Sequence, residues 1–141
     1  MAALAAGAGC ASQPKTAPEP VLVRLDASRG RTWNALTYLV GTKWALPTSM
    51  ADSAAGLIKT RSLDIARYDI ANCPWQAAGG NLFVEVNMAV RGDSTHSTVE
   101  FEPTFRKVVT RRYDSESFVC TTTQRLESEF ATDLKARLAG Q

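Results

Sequence analysis

Val21, Val23 and Leu25 alternate with Leu22, Arg24 and Asp26, the period-two pattern of a strand. Ser28 and Gly30 then open a segment in which Trp33, Leu36, Leu39 and Val40 recur at helical spacing. This predicts a helix over residues 31–41 that Gly41 is placed to end. A second strand is predicted over 44–49, and Pro47 would confine it to an edge or a bulge. Asp52 to Gly56 reads as a turn, and 56–65 (GLIKTRSLDI) continues as a third strand. The segment 66–80 is irregular, with Asn72-Cys73-Pro74 and Gly79-Gly80. A loop of that length in a compact domain is functional or tied down, and Cys73 is placed to do the tying.

The next two strands carry the clearest alternation in the chain. Leu82, Val84, Val86, Met88 and Val90 share one face and Phe83, Glu85, Asn87 and Ala89 the other. Val99, Phe101, Pro103 and Phe105 then alternate with Glu100, Glu102 and Thr104. Arg91-Gly92-Asp93-Ser94 between them is hairpin chemistry, and its RGD triplet reads as a turn rather than an adhesion motif. At the C-terminus Leu126, Phe130, Leu134 and Leu138 form one apolar stripe of a helix, with Asp133 and Arg137 as an exposed i,i+4 pair. Thr121 or Thr123 can cap it, Thr121 and Gln124 having capping-box spacing. The expected fold is α+β: an antiparallel sheet of about five strands with two helices on one face, in the order β-α-β-β-β-β-α.

Composition narrows the function classes. The 141 residues suit a single domain, placed at 21–141, with 45% hydrophobic and 21% charged residues. A net charge of +2 is too small for a nucleic-acid binder, whose phosphate contacts need concentrated Lys and Arg. Arg106, Lys107, Arg111 and Arg112 come nearest, and they read as a solvated strand end. No stretch of roughly 18 or more apolar residues occurs, so no membrane-spanning helix is expected.

The cysteines bear on the compartment. Residues 2–9 (AALAAGAG) are small and apolar, and Cys10 follows at once. This resembles the end of a bacterial lipoprotein signal peptide, in which small residues precede a Cys that is lipidated and becomes the first mature residue. Gly9 and Ala8 fit that pattern. Gly7 stands where it prefers an aliphatic residue, and no basic region precedes a very short apolar stretch. The expectation for residues 1–10 is therefore a truncated signal with a lipid on Cys10. Residues 11–20 (ASQPKTAPEP) carry three prolines and no large apolar side chain, the composition of a tether spanning at most ~35 Å. By the same resemblance Ala11, where inner-membrane retention favours Asp, implies the periplasmic face of the outer membrane.

Cys73 and Cys120 are left as a pair. Their separation excludes a CxxC redox motif or zinc knuckle, and a single His supplies no metal-ligand set. In an oxidising periplasm they are expected to be bonded, with about 4 kcal/mol of loop-closure stabilisation. In a cytosolic protein they would be buried free thiols.

Catalytic constellations are weak. Glu100 and Glu102 share the polar face of an alternating strand, where solvation explains them. His96 lies in the hairpin among Ser94, Thr95 and Ser97, an exposed place for a triad base. Gly79-Gly80 lacks phosphate-loop spacing, and no cofactor or metal is expected. Trp33 belongs to the helix core. Trp75, after Cys73-Pro74 in the irregular loop, either packs on the disulfide or is a part-exposed partner contact.

Trp33-x-x-Leu36-x-x-Leu39 followed by Asp52-x-x-x-Gly56-Leu57-Ile58-x-Thr60 resembles the repeat domain of the outer-membrane lipoprotein BamC and related small bacterial lipoproteins. The resemblance covers about residues 21–61. The later cysteine pair and the single domain depart from it. It implies a helix-on-sheet envelope module that works by binding, and it lends no catalytic residues. The expected function is thus a non-catalytic accessory or adaptor subunit of an outer-membrane assembly, docked on an envelope protein partner and held to the membrane by its lipid alone. The alternative is a periplasmic inhibitor or immunity lipoprotein that blocks a lytic enzyme.

Overall fold

The computed structural model describes residues 20–141. The signal and Cys10 anchor expected on 1–10, and all of the 11–20 tether but Pro20, lie outside the described residues. The centre is a long antiparallel hairpin, β6 (Asn81–Gly92) and β7 (Ser97–Thr110), in register from Asn81↔Val108 to Gly92↔Ser97. All five apolar residues assigned to the inner face of β6 are buried, as are Val99, Phe101 and Phe105 of β7.

Over the described residues the fold is α+β with an antiparallel sheet and two helices, but the sheet has eight strands rather than about five. The hairpin strands are long, and each is flanked by two short partners set end to end. On β7 these are β1 (Val21–Leu25) and β8 (Ser115–Thr122). On β6 they are β3 (Leu57–Thr60) and β4 (Leu63–Asp64), so the strand predicted over 56–65 is broken at Arg61-Ser62. The strand predicted over 44–49 is displaced to β2 (Thr48–Asp52), an edge strand beyond Pro47 that pairs with β3. The displacement has a cause in Trp44, whose indole turns into the helix layer. Two-residue β5 (Ala71–Asn72) pairs with β8 from within the segment expected to be irregular.

Each gap between the short strands is closed by chemistry. Opposite the β3–β4 gap, the Val86 N–H donates to the buried Thr60 Oγ1 at 2.8 Å. That bond points away from β7, so Pro103, the cross-strand partner of Val86, turns its nitrogen toward the β1–β8 gap. A proline is tolerated there because no ladder bond needs its missing donor.

Both helices pack on the same face. α1 (Arg29–Gly41) starts two residues earlier than expected, with Ser28 Oγ accepting from the Arg31 N–H at 3.2 Å. α2 (Arg125–Ala139) buries Leu126, Phe130 and Leu134 as expected. Its cap differs from the prediction. Gln124 takes the cap position at φ 65°, and Thr122 Oγ1 accepts its N–H at 2.8 Å while donating to the buried Glu127 carboxylate. Thr123 is used elsewhere, its hydroxyl donating to the Asp69 carbonyl. Asp133 and Arg137 do not pair with each other either. Asp133 accepts from Lys43 Nζ at 2.6 Å and Trp44 Nε1 at 2.8 Å, while Arg137 stacks 3.8 Å over Tyr38. A part-buried indole N–H needs an acceptor, and α2 supplies it. The Trp44 ring meets Phe130 at 4.2 Å between centroids and closes the core above Phe101. Two turns depend on glycine: Gly56 at φ 70° and Gly92 at φ 151°, where an added Cβ would strike the carbonyls of Val90 and His96 respectively.

Candidate functional site

The segment between β4 and β6 is held at several points and displays one large side chain. Ile70 is fully buried, and β5 adds a short ladder to β8. Cys73 then meets Cys120 of β8 at disulfide distance, with 2.08 Å between sulfurs and 4.4 Å between Cα atoms. Pro74 fixes the next φ, and a single 3-10 turn over Trp75–Ala77 closes on the buried Ala77. This leaves Trp75 at 82% exposure with its backbone anchored on both sides. Most of the indole is therefore in solvent, not packed away against the disulfide.

Tyr68, 65% exposed, stands near it, and Lys107 Nζ lies 5.1 Å from the Tyr68 ring centroid. Tyr68, Cys73, Pro74, Trp75 and Lys107 line an open hollow of about 250 Å³. Such a surface, two aromatics beside one cation on a tethered loop, offers wide apolar contact with few groups that must find hydrogen bonds.

Behind the aromatics an ionic network ties the loop to α2. Arg67 donates to both Glu129 oxygens at 2.8 Å and to Asp69 at 3.0 and 3.2 Å, and Arg125 reaches Asp69 at 2.9 Å. The Arg67 guanidinium, and then Arg125, hold the Asp69 carboxyl far below the usual carboxylate range. Arg67 likewise lowers Glu129, and the two carboxylates raise Arg67. Around Asp133 burial opposes ionisation, but the hydrogen bonds from Lys43 and Trp44 together outweigh it and lower that carboxyl too.

The other sequence candidates are scattered. His96 Nδ1 lies 2.9 Å from Thr95 Oγ1 and Nε2 3.5 Å from Asp26, a hydroxyl–imidazole–carboxylate chain in outline. His96 and Asp26 are 70% and 99% exposed, and the Thr95 hydroxyl is already engaged by Asp93, so water screens every contact. Asp93 serves the turn: N–H groups of His96 and Thr95 on its carboxylate bring it down to about 2. Glu100 lies on the open sheet face 3.8 Å from Arg91, with Glu102 exposed beside it. The basic run disperses as Arg111 pairs with Glu116, Arg112 lies over Tyr113 and Lys107 turns to Tyr68. Among the described residues no three His, Cys, Asp or Glu side chains group as a metal site, and no helix is long and apolar enough to cross a membrane. Tyr68 had no part in the sequence expectations and Lys107 entered them as one of a solvated basic run; the two are 39 positions apart, and an aromatic stranded in the polar run Arg67-Tyr68-Asp69 was the one available signal of the site. Compared with protein-family models and with curated proteins, the chain matches none.

Proposed function

We propose that this chain is a non-catalytic envelope lipoprotein, anchored by a lipid on Cys10 at the periplasmic face of the outer membrane, that docks on a larger envelope protein through the Trp75 loop. The observation that carries the reading is Trp75 itself, an indole 82% exposed on a loop clamped by Cys73–Cys120 and by Arg67 to α2. Holding a bare indole rigid in water gains the fold nothing, whereas a preordered aromatic loses little entropy when a partner covers it. The small-residue run ending at Cys10, the proline-bearing 11–20 segment and a cysteine pair at bonding distance all support an oxidising, membrane-proximal address. The succession of a Trp33-bearing helix, an Asp52 turn and a Gly56-Leu57-Ile58 strand supports the kinship with BamC-type modules.

The test is affinity capture from native envelopes. Wild-type protein should retain a stoichiometric envelope partner, Trp75→Ala should lose it, and Cys10→Ser should move the protein from the membrane fraction to the soluble one. Capture unaffected by Trp75→Ala would reject the docking surface. Reproducible turnover of ester, phosphate, glycoside or peptide substrates would reject the non-catalytic reading, and inhibition of a lytic enzyme would favour an immunity role instead.

A further inference from the structure

Among the described residues β1 is paired on one side alone, with β7. The Val86 N–H bond to Thr60 sets the pleat of the hairpin, so Val99 and Phe101 present their polar backbone groups to β1, where Val23 and Val21 answer them. Leu22 and Arg24 therefore turn their N–H and C=O groups away from the sheet, and among the described residues nothing pairs with them. α2 runs beside this edge. Gln124, Ser128, Ala131 and Lys135 fall on one helical stripe and, with β1, wall a groove of about 580 Å³. Ser128 and Ala131 are small, which leaves the middle of the groove open for a backbone. Glu127 also lines it, but its carboxylate is engaged by Thr122. The groove runs on into a hollow of about 310 Å³ where Arg24, Arg31 and Lys135 face the lone carboxylate of Asp26. Leu22, 58% exposed, lies alongside.

We propose that this groove binds an extended, acidic peptide segment of a partner protein, added to β1 as a further strand. Backbone hydrogen bonds to Leu22 and Arg24 give the register, α2 forms the back wall, and carboxylates of the segment meet Arg24, Arg31 and Lys135. The charge selects the occupant. A second copy joined β1 to β1 would bring Arg24 and Lys135 against their own counterparts. Residues 11–20 of the chain carry Pro14, Pro18 and Pro20, which lack the donor a strand needs, and hold one lysine against one glutamate. This site lies apart from the Trp75 loop and stands or falls independently of it.

The probe is a short fluorescent peptide alternating valine and aspartate, titrated against the full chain by anisotropy. Saturable binding is expected that weakens with salt, with the lysine counterpart of the peptide not binding. Leu22→Pro removes an outward donor at a position where an edge strand tolerates proline, and should weaken binding about tenfold or more. The double variant Arg24→Glu with Lys135→Glu should do the same with the backbone edge intact, which keeps the test valid if the proline variant folds poorly. Amide exchange at Leu22 and Arg24 should be fast in the free protein and slow with peptide bound. Absent saturation, equal binding of the lysine peptide, or indifference to both variants overturns the proposal. So does slow exchange at Leu22 and Arg24 before peptide is added, or a dimer that Leu22→Pro dissolves, since either means another occupant holds the edge.

Discussion

Thr60 shows how one hydroxyl settles a backbone problem that no strand is placed to solve. β3 ends at Thr60 and β4 begins at Leu63, so the Val86 N–H would face the gap with no carbonyl opposite. Thr60 Oγ1 accepts it inside the core. Thr60→Val keeps the shape and removes the acceptor, leaving a buried donor unpaired at a cost of about 1–3 kcal/mol. Urea unfolding should show that loss with an unchanged m-value, and Thr60→Ser should recover part of it. Trp75 is the opposite case, a large side chain with little packing to lose. Trp75→Ala should leave stability within about 0.5 kcal/mol of wild type while partner capture is lost. A melting temperature lowered by several degrees would make Trp75 a structural residue. The role of Thr60 was not legible in the sequence, because it meets Val86 only through a pairing set 26 positions away; Trp75 stood out there as a packing residue or a partner contact, and the choice between the two depends on how Cys73 and Ala77 hold the loop.

At the scale of elements, legibility followed the apolar period. β6, β7 and α2 were plain because each presents several apolar side chains at a constant interval to one core. β8 was missed because only Cys120 is buried, while Ser115, Glu116, Ser117 and Val119 are exposed. β2 buries nothing and so leaves no pattern, and β4 and β5 are too short to have one. Ion pairs were misplaced for a related reason: spacing proposes a partner within the helix, whereas Asp133 finds a better one in Lys43 and Trp44 across the helix layer. The ionic contacts of α2 with the loop and with Lys43 and Trp44 predict how acid acts. Asp69, Glu129 and Asp133 are all lowered in the fold, so their contribution is present above the ordinary carboxylate value near ~4 and is lost as pH falls through the lowered values. Thermal melts should therefore fall steadily from about pH 5 to about pH 2. Arg67→Gln should flatten that dependence, with exchange rising first at 67–72. Because Asp69 and Glu129 are open to solvent whereas Asp133 is half-buried, high salt should shrink the share of the effect that the first two carry. A pH profile identical in Arg67→Gln and wild type would show that the network carries no stability.

For the molecule as a whole, the Cys73–Cys120 link joins the two regions that the sheet alone leaves least connected. The loop over 66–80 enters from β4, pairs only briefly with β8, and must return to start the long β6. β8 leads directly into α2, so a bond at Cys120 fixes the loop, the last strand and the helix relative to one another. Closing a loop of 47 residues is worth about 4 kcal/mol on the chain-entropy account, so reduction should lower the melting temperature by roughly 10 °C. The loosening should be unequal. Toward its N-terminal end the loop keeps the buried Ile70, the Thr123 bonds to Asp69 and Ile70, and the Arg67 network. Beyond Cys73 it keeps little except Ala77 and the close approach of Gly80 to β7. Amide exchange after reduction should therefore rise over 73–79 while 67–71 stays protected, and capture through Trp75 should weaken because the indole must then be ordered on binding. Cys73→Ser with Cys120→Ser should reproduce both effects without reductant. Two titratable thiols in the folded, untreated protein, or uniform loosening across the whole loop, would show that the fold positions Trp75 without a covalent clamp.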